Sequence, residues 1–338
     1  MISKLVTNPP PRSLAERLRS LAGSTILITG VTGLIGQSLV KRLREFEVEH
    51  QIEFNLVGTS LSGSLPTGLV DWSRISVHAG DLADETVLAS LPAFDYVVHG
   101  ATYGQPSRFM ADQFGTLRLN SIVTDGLMRK CRRRFLFVSS SEVYSGLPNE
   151  RFVESQVGTT GLDHPRAAYI EGKRFGEMLC LHPPRHLESA NVARLSLAYG
   201  PGPRLDDRRV LNELIVRGVR NRVVDLRGGA SSLRSYLFAS DAADYLLTIL
   251  TAGNGTVYNV GGHEAVSLGE LAARIAGILE VPRADVLETQ QGGIGAPAEV
   301  RLNMDRVDSL LGNMETVSLD DGLRATIEWF ERQLSSQA

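Results

Sequence analysis

The sequence predicts an α/β chain: a doubly wound parallel sheet of about seven strands, joined to a smaller and mostly helical C-terminal part. Three observations predict it. Short β-branched runs alternate with longer amphipathic stretches through the first 200 residues, which is the rhythm of βα units feeding a parallel sheet. A glycine-rich turn joins the first run to the first amphipathic stretch. The chain has 338 residues, 43% of them apolar, enough for one large core or two smaller ones.

Residues 1–23 read as an arm, in which Pro9-Pro10-Pro11 precedes Ser13-Leu14-Ala15-Glu16, a capping-box spelling for a short helix on the surface. Strands are expected near 25–30, 53–59, 75–80, 96–101, 134–140, 191–199 and 256–260. Helices are expected at 34–45, 109–131 and 167–181, with a later group near 207–220, 241–252, 267–279 and 320–335. The stretch 283–300, with Gly292-Gly293, Gly295 and Pro297, reads as loop.

Thirty-five basic and 38 acidic residues give a net charge of -3, which leaves no basic stripe to displace counterions from a nucleic acid. Cys131 and Cys180 stand far apart, outside any ligand spacing, so neither a disulfide framework nor a metal site is expected. With no signal-peptide core and no 18-residue apolar run, a soluble cytoplasmic protein acting on small molecules is the expectation. Only four of the basic residues are lysines: Lys4, Lys41, Lys130 and Lys173.

Three motifs carry chemistry. Thr29-Gly30-Val31-Thr32-Gly33-Leu34-Ile35-Gly36 follows the first strand and opens a helix, where the glycines permit a tight turn and a pyrophosphate can meet free N–H groups. The second strand ends in Val57-Gly58-Thr59-Ser60, without the acid that reads an NAD ribose or a base for a 2′-phosphate; NAD is favoured and NADP stays open. Asp81, after the third strand, is placed either to bind adenine or to cap its own loop. Tyr169 and Lys173 stand four apart on a predicted helix, so that a neighbouring ammonium is expected to lower the phenol pKa and make it a usable base. Ser139-Ser140-Ser141-Glu142 ends the fifth strand, where ligands meet open α/β sheets.

Together, TGxxGxxG, the strand-end serines and YxxxK resemble the extended branch of the short-chain dehydrogenase/reductase family, specifically the NAD-dependent nucleotide-sugar epimerases, dehydratases and decarboxylases. His99-Gly100-Ala101, Asn120, Ala193-Arg194, Tyr199-Gly200-Pro201-Gly202, Arg234, Asp241 and Tyr258-Asn259-Val260-Gly261-Gly262 extend the match over nearly the whole chain after the arm. The resemblance implies a Rossmann domain at 24–190, with returning segments near 191–200 and 236–262, and a nucleotide-sugar domain at 201–235 and 263–338. It implies NAD contacts from Gly30, Thr32, Gly33, Leu34, Ile35, Gly36, Thr59, Asp81, Leu82, Gly100, Ala101, Thr102 and Asn120, and from Tyr169 and Lys173. Ser140 falls at the catalytic Ser/Thr position, Tyr169 at the base, Lys173 at the nicotinamide ribose and Arg234 at the diphosphate. Further substrate contacts are implied at Tyr103, Ser196, Arg204, Val210 and Arg301.

Ser141-Glu142 is the discriminating pair. Members resembling 4,6-dehydratases carry Asp-Glu here, those resembling UDP-glucuronate decarboxylases carry Ser-Glu, and simple 4-epimerases usually lack the Glu. The decarboxylases also carry an arginine near a Pro-Asp-Ile segment, which here reads Val300-Arg301-Leu302-Asn303-Met304, offset and without the Pro-Asp. A decarboxylase-like enzyme is the first expectation, with 4-epimerase, 4,6-dehydratase, NADPH-dependent ketosugar reductase and a non-catalytic nucleotide sensor as alternatives. A homodimer through the helices at 109–131 and 167–181 is also implied.

Overall fold

The computed structural model describes residues 13–65, 72–148, 151–286, 299–312 and 314–336. Seven parallel strands form the central sheet: β1 (Thr25–Thr29), β2 (Asn55–Ser60), β3 (Ile75–Ala79), β4 (Phe94–His99), β5 (Cys131–Ser140), β6 (Ser189–Leu195) and β7 (Val257–Val260). Their order is β7-β6-β5-β4-β1-β2-β3, so the chain reverses direction across the sheet at β1 and β4, and the crevice above their C-terminal ends is the natural ligand site.

Alternation along the strands fills a core on each face. Ile26, Ile28, Leu56, Val98 and Leu136 join one cluster, while Leu27, Val57, Val97, Phe135 and Phe137 join the other; a period of two with both sets apolar is what a doubly covered strand requires. The first cluster also receives Leu18 and Leu21 from the arm. There the capping box forms as spelled, Ser13 Oγ accepting from Glu16 N and Glu16 accepting from Ser13 N. Pro9 to Pro11 and the glycines at 292–295 lie outside the described residues.

Two expected elements are broken. The helix expected at 109–131 is three, Pro106–Ala111, Gln113–Asn120 and Ile122–Lys130. Asp112 leaves helical geometry and caps Gly115 N with its carboxylate, and Ser121 turns its hydroxyl back onto Leu117 O, the local competition by which Asp and Ser interrupt helices. The strand expected at 191–199 parts at Ser196: β6 stays in the central sheet, and Leu197–Tyr199 pairs with Leu233–Phe238.

The C-terminal part is built on the helices Val210–Asn221, Leu268–Leu279 and Leu319–Ser335, which share a third core. It also carries short strands. Ala265–Ser267, Leu233–Phe238, Glu299–Leu302 and Arg151–Phe152 align in one sheet, and Val224–Arg227 pairs with Arg283–Val286. These strands are mostly two to four residues long, too short to display an alternating pattern.

Candidate active site

The glycine turn between β1 and the helix Leu34–His50 is held from both neighbouring strands. Gly30 takes φ +77°, and Gly30 N and Val31 N donate to Thr59 O at the end of β2. On the other side, Thr29 Oγ1 accepts from Gly100 N and Ala101 N and contacts His99 Nδ1 at 2.9 Å. Because His99 Nε2 faces the carbonyl of Leu119, which can only accept, that nitrogen carries the proton and Nδ1 accepts from Thr29. Burial pushes the His99 pKa down to about 4, keeping this neutral tautomer.

The turn fits a dinucleotide. A Cβ on Gly36 would fall 2.2 Å from Gly30 O, whereas one on Gly33 would meet only Gly30 O at 3.4 Å; Gly36 closes the helix onto the turn and Gly33 leaves the backbone approachable. The helix begins at Leu34 with no side-chain cap at Gly33, so the N–H groups of Leu34, Ile35 and Gly36 belong to a first turn that an anion can cap. Thr32 O is held by Gln37, which also reaches Gly202 O. Asn120 donates to Thr102 Oγ1 and Thr116 O while its Oδ1 is buried with no hydrogen-bond partner, an acceptor left available inside the cleft.

Next to it stands the hydroxyl cluster. β5 ends at Ser140, whose Oγ caps Glu142 N in the 3₁₀-turn Ser141–Tyr144 and lies near enough to the Tyr169 phenol to favour its ionised form. Tyr169 and Lys173 lie on the helix Ala167–Leu181, both buried. Lys173 Nζ donates to Val138 O at 2.7 Å and lies 4.7 Å over the Phe137 ring and 5.7 Å from the Tyr169 ring centroid.

The electrostatics correct one expectation. Burial pushes the Tyr169 phenol up to about 12, against the neighbouring Ser140 hydroxyl and the charges of Arg166 and Arg209, which lower it; Glu142 raises it further. Lys173 is itself pushed down to about 7 by burial, partly restored by Glu177. A shared helix face was expected to lower the phenol, but removal of both groups from water outweighs it here.

The structure also sorts the other candidates. Thr59 Oγ1 accepts from Gly30 N, Asp81 caps Ala83 N and Leu82 packs in the core, which gives all three local work. Ser196 Oγ donates to Ser235 O. Burial and the nearby Asp112 carboxylate push the Tyr103 phenol up. Arg204 pairs with Asp206 on an exposed loop, and Val210 opens its helix largely exposed. Arg301 pairs with Glu299, two residues back on its own strand. Arg234 is brought to the hydroxyl cluster and senses the charges of Glu142 and Arg166.

Two residues were missed. Arg166, 6% exposed, forms an ion pair with Glu142 Oε1, and Phe109 stacks on Tyr169 with centroids 4.4 Å apart and planes at 15°. Arg166 stands three before Tyr169, a spacing visible in the sequence; nothing local marks Phe109.

A model of the NAD dependent epimerase/dehydratase family matches residues 26–261, from within β1 to just past β7. The chain belongs to the NAD dependent epimerase/dehydratase family. Among relatives, it is 27% identical over 335 residues to UDP-glucuronic acid decarboxylase 1 of Danio rerio, covering 98% of this chain and 77% of that protein. It is 26% identical over 322 residues to dTDP-4-dehydro-6-deoxy-D-allose reductase of Streptomyces bikiniensis, covering 91% and 97%. The structure of MoeE5 in complex with UDP-glucuronic acid and NAD superposes with a TM-score of 0.75 and 27% identity over 91% of this chain and 99% of that one. For an epimerase/dehydratase family chain, the glycine turn, Asn120, Tyr169 and Lys173 are the groups that would hold NAD. Among the described residues no helix is long and apolar enough to cross a membrane.

Proposed function

We propose that the protein oxidises C4 of a nucleoside-diphosphate uronic acid and decarboxylates the resulting 4-keto sugar. The observation that carries this reading is Ser141-Glu142 directly after Ser140, with the Glu142 carboxylate paired to Arg166 beside Tyr169. NAD, when bound, supplies the acceptor for the C4 hydride and its later donor.

The chain's own groups do the rest. Tyr169 receives the O4 proton in its phenolate form, which burial disfavours and the positive charge of bound NAD would favour, as the C4 hydride leaves, and Ser140 hydrogen-bonds O4 while negative charge develops on it. The new ketone makes the C5 carboxylate a β-keto acid. As the bond from C5 to the carboxyl carbon breaks, its electron pair moves to O4 as an enolate, which the same two hydroxyls stabilise. Protonation at C5 and return of hydride to C4 complete the cycle. Arg234 suits the diphosphate, a task for a guanidinium fork.

The test is incubation with NAD and UDP-glucuronate, reading carbon dioxide and the nucleotide sugar by mass spectrometry. Release of carbon dioxide with a UDP-pentose is expected; a 4-epimer alone moves the protein to the epimerases, and neither product removes the substrate. A second reading, reduction of a ketosugar by NADPH, is favoured by the end of β2, where Thr59 and Ser60 stand without a carboxylate. Calorimetry showing NADP bound much more tightly than NAD would promote it.

The same reading includes a homodimer. Phe114, Phe175, Met178 and Leu181 are exposed apolar residues on the adjoining helices Gln113–Asn120 and Ala167–Leu181, a patch larger than single surface residues need. Sedimentation at micromolar concentration should give a dimer, and a monomer would remove this part.

A further inference from the structure

We propose that Gln37 couples two ligand sites, so that NAD on the glycine turn and a nucleotide beside the C-terminal part each tighten the binding of the other. The inference rests on the reading above that a nucleotide sugar is the substrate, and not on which sugar is converted.

The bridge itself is the first support. Gln37 stands one turn into the helix Leu34–His50, where its own N–H donates to Gly33 O at 2.9 Å. Its side chain folds back over the helix start, and Nε2 donates to Thr32 O at 2.8 Å and to Gly202 O at 3.1 Å. Both partners are carbonyls, which only accept, so the nitrogen rather than Oε1 must face them. The two hydrogens of one amide are thus divided between two segments far apart in the chain.

The anchors lead to different sites. Thr32 O belongs to the peptide whose other end, Gly33 N, donates to Gly30 O at 3.0 Å. That peptide is held at both ends, directly before the Leu34, Ile35 and Gly36 N–H groups that a pyrophosphate would meet. Gly202 closes the run that leaves the strand Leu197–Tyr199, which pairs with Leu233–Phe238. Beyond it, segment 203–209 runs to the helix Val210–Asn221 of the third core. At the end of that segment the buried Asp207 caps Arg209 N and holds the Arg209 guanidinium through both carboxylate oxygens. The charge of Arg209 reaches Tyr169 and Tyr236. The segment therefore starts at Gln37 and ends beside the hydroxyl cluster.

Close fit is the third support. Gly202 takes φ +106°, and a Cβ there would fall 2.9 Å from Gln37 Oε1, so the approach of backbone to amide depends on glycine. Coupling follows from the shared side chain. Both contacts require the same Gln37 rotamer, and a ligand that fixes one carbonyl leaves less side-chain freedom to be lost when the other is fixed. A pyrophosphate fixes the Thr32 peptide, a nucleotide lying against segment 203–209 fixes Gly202, and linkage makes the effect equal in both directions.

The test is calorimetry of NAD binding with and without saturating UDP, repeated with dTDP, for the wild type, Gln37→Met and Gln37→Glu. In the wild type the nucleotide should tighten NAD binding by at least about fivefold. Gln37→Met keeps the length and loses the amide, and Gln37→Glu keeps the shape but turns acceptors toward two carbonyls. Both variants should melt within a few degrees of the wild type and bring the ratio to about one. A ratio that both variants retain would overturn the inference and leave Gln37 a structural partner of the turn. A wild type that binds NAD and nucleotide independently also overturns it, while the functional reading survives. A wild type that binds NAD and neither nucleotide overturns the functional reading and the inference with it.

Discussion

Arg194 clamps Glu177 through two nitrogens, Nη2 at 2.7 Å from Oε2 and Nε at 3.0 Å from Oε1. Ser139 Oγ donates to the same Oε1, and Arg194 Nη1 donates to the carbonyls of Glu154 and Gln156. Glu177 lies one turn beyond Lys173 on the helix Ala167–Leu181, Ser139 on β5 and Arg194 on β6, so these contacts tie the helix to the strand that ends in Ser140. Glu177→Gln would leave a buried guanidinium with no compensating charge, at an expected cost of about 3–5 kcal/mol. Urea denaturation measures it; a loss of less than ~1 kcal/mol would show that water reaches Arg194.

Lys173 gives an effect of opposite sign. Its folded pKa of about 7 lies below the ordinary 10.5. Between those values the unfolded chain holds a proton that the folded protein has released, so the folded state gains stability as pH rises through that window. Below pH 7 the burial penalty is present in full, roughly 5 kcal/mol at its upper limit. Lys173→Met removes a buried charge at similar length and leaves Glu177 with Arg194. At pH 6.5 the variant should be the more stable protein and should have lost turnover by at least about 100-fold; the stability difference should shrink toward pH 10. A variant less stable than wild type at pH 6.5 would mean that the ammonium is well solvated by Val138 O and Phe137.

The parts of the molecule legible in the sequence are those written in local patterns. β1 to β7 show as apolar runs, the glycine turn as spacing between a strand and a helix, and Tyr169 with Lys173 as two rare residues on one helix face. What was not legible depends on residues distant in the chain. Phe109 reaches Tyr169 only because the helices Pro106–Ala111 and Ala167–Leu181 pack together. The upward shift of the phenol comes from burial, which no spacing of charges encodes. Breaks at Asp112 and Ser121 were hidden because an amphipathic pattern runs through them, while their side chains bond the backbone instead of continuing it.

His99 makes the fold acid-sensitive in a defined window. Its folded pKa of about 4 lies below the ordinary 6.5 because the ring is buried. The stability that a neutral imidazole gives is complete above pH 6.5 and is lost as pH falls toward 4, where folding must either exclude a proton or break the contacts to Thr29 and Leu119. The loss is roughly 3 kcal/mol. Urea midpoints should fall across that range in the wild type and should fall less in His99→Gln. Parallel profiles would assign the acid response to other groups.

Gly33 and Gly36 separate binding from folding within one turn. A Cβ at position 36 would fall 2.2 Å from Gly30 O and 2.7 Å from Val31 Cα, both backbone atoms that cannot swing away. Gly36→Ala should therefore destabilise the fold by about 1–3 kcal/mol, the usual cost of overpacking, and weaken NAD binding through the displaced turn. At position 33 the nearest atom is Gly30 O at 3.4 Å, ordinary contact, so Gly33→Ala should melt within a few degrees of wild type. Its methyl group instead occupies the approach to the Leu34, Ile35 and Gly36 N–H groups, where a pyrophosphate would come closest, and NAD affinity should drop by at least about tenfold. Calorimetry with NAD and thermal melts of both variants distinguish the two effects. Unchanged NAD binding in a well-folded Gly33→Ala would move the pyrophosphate away from this turn.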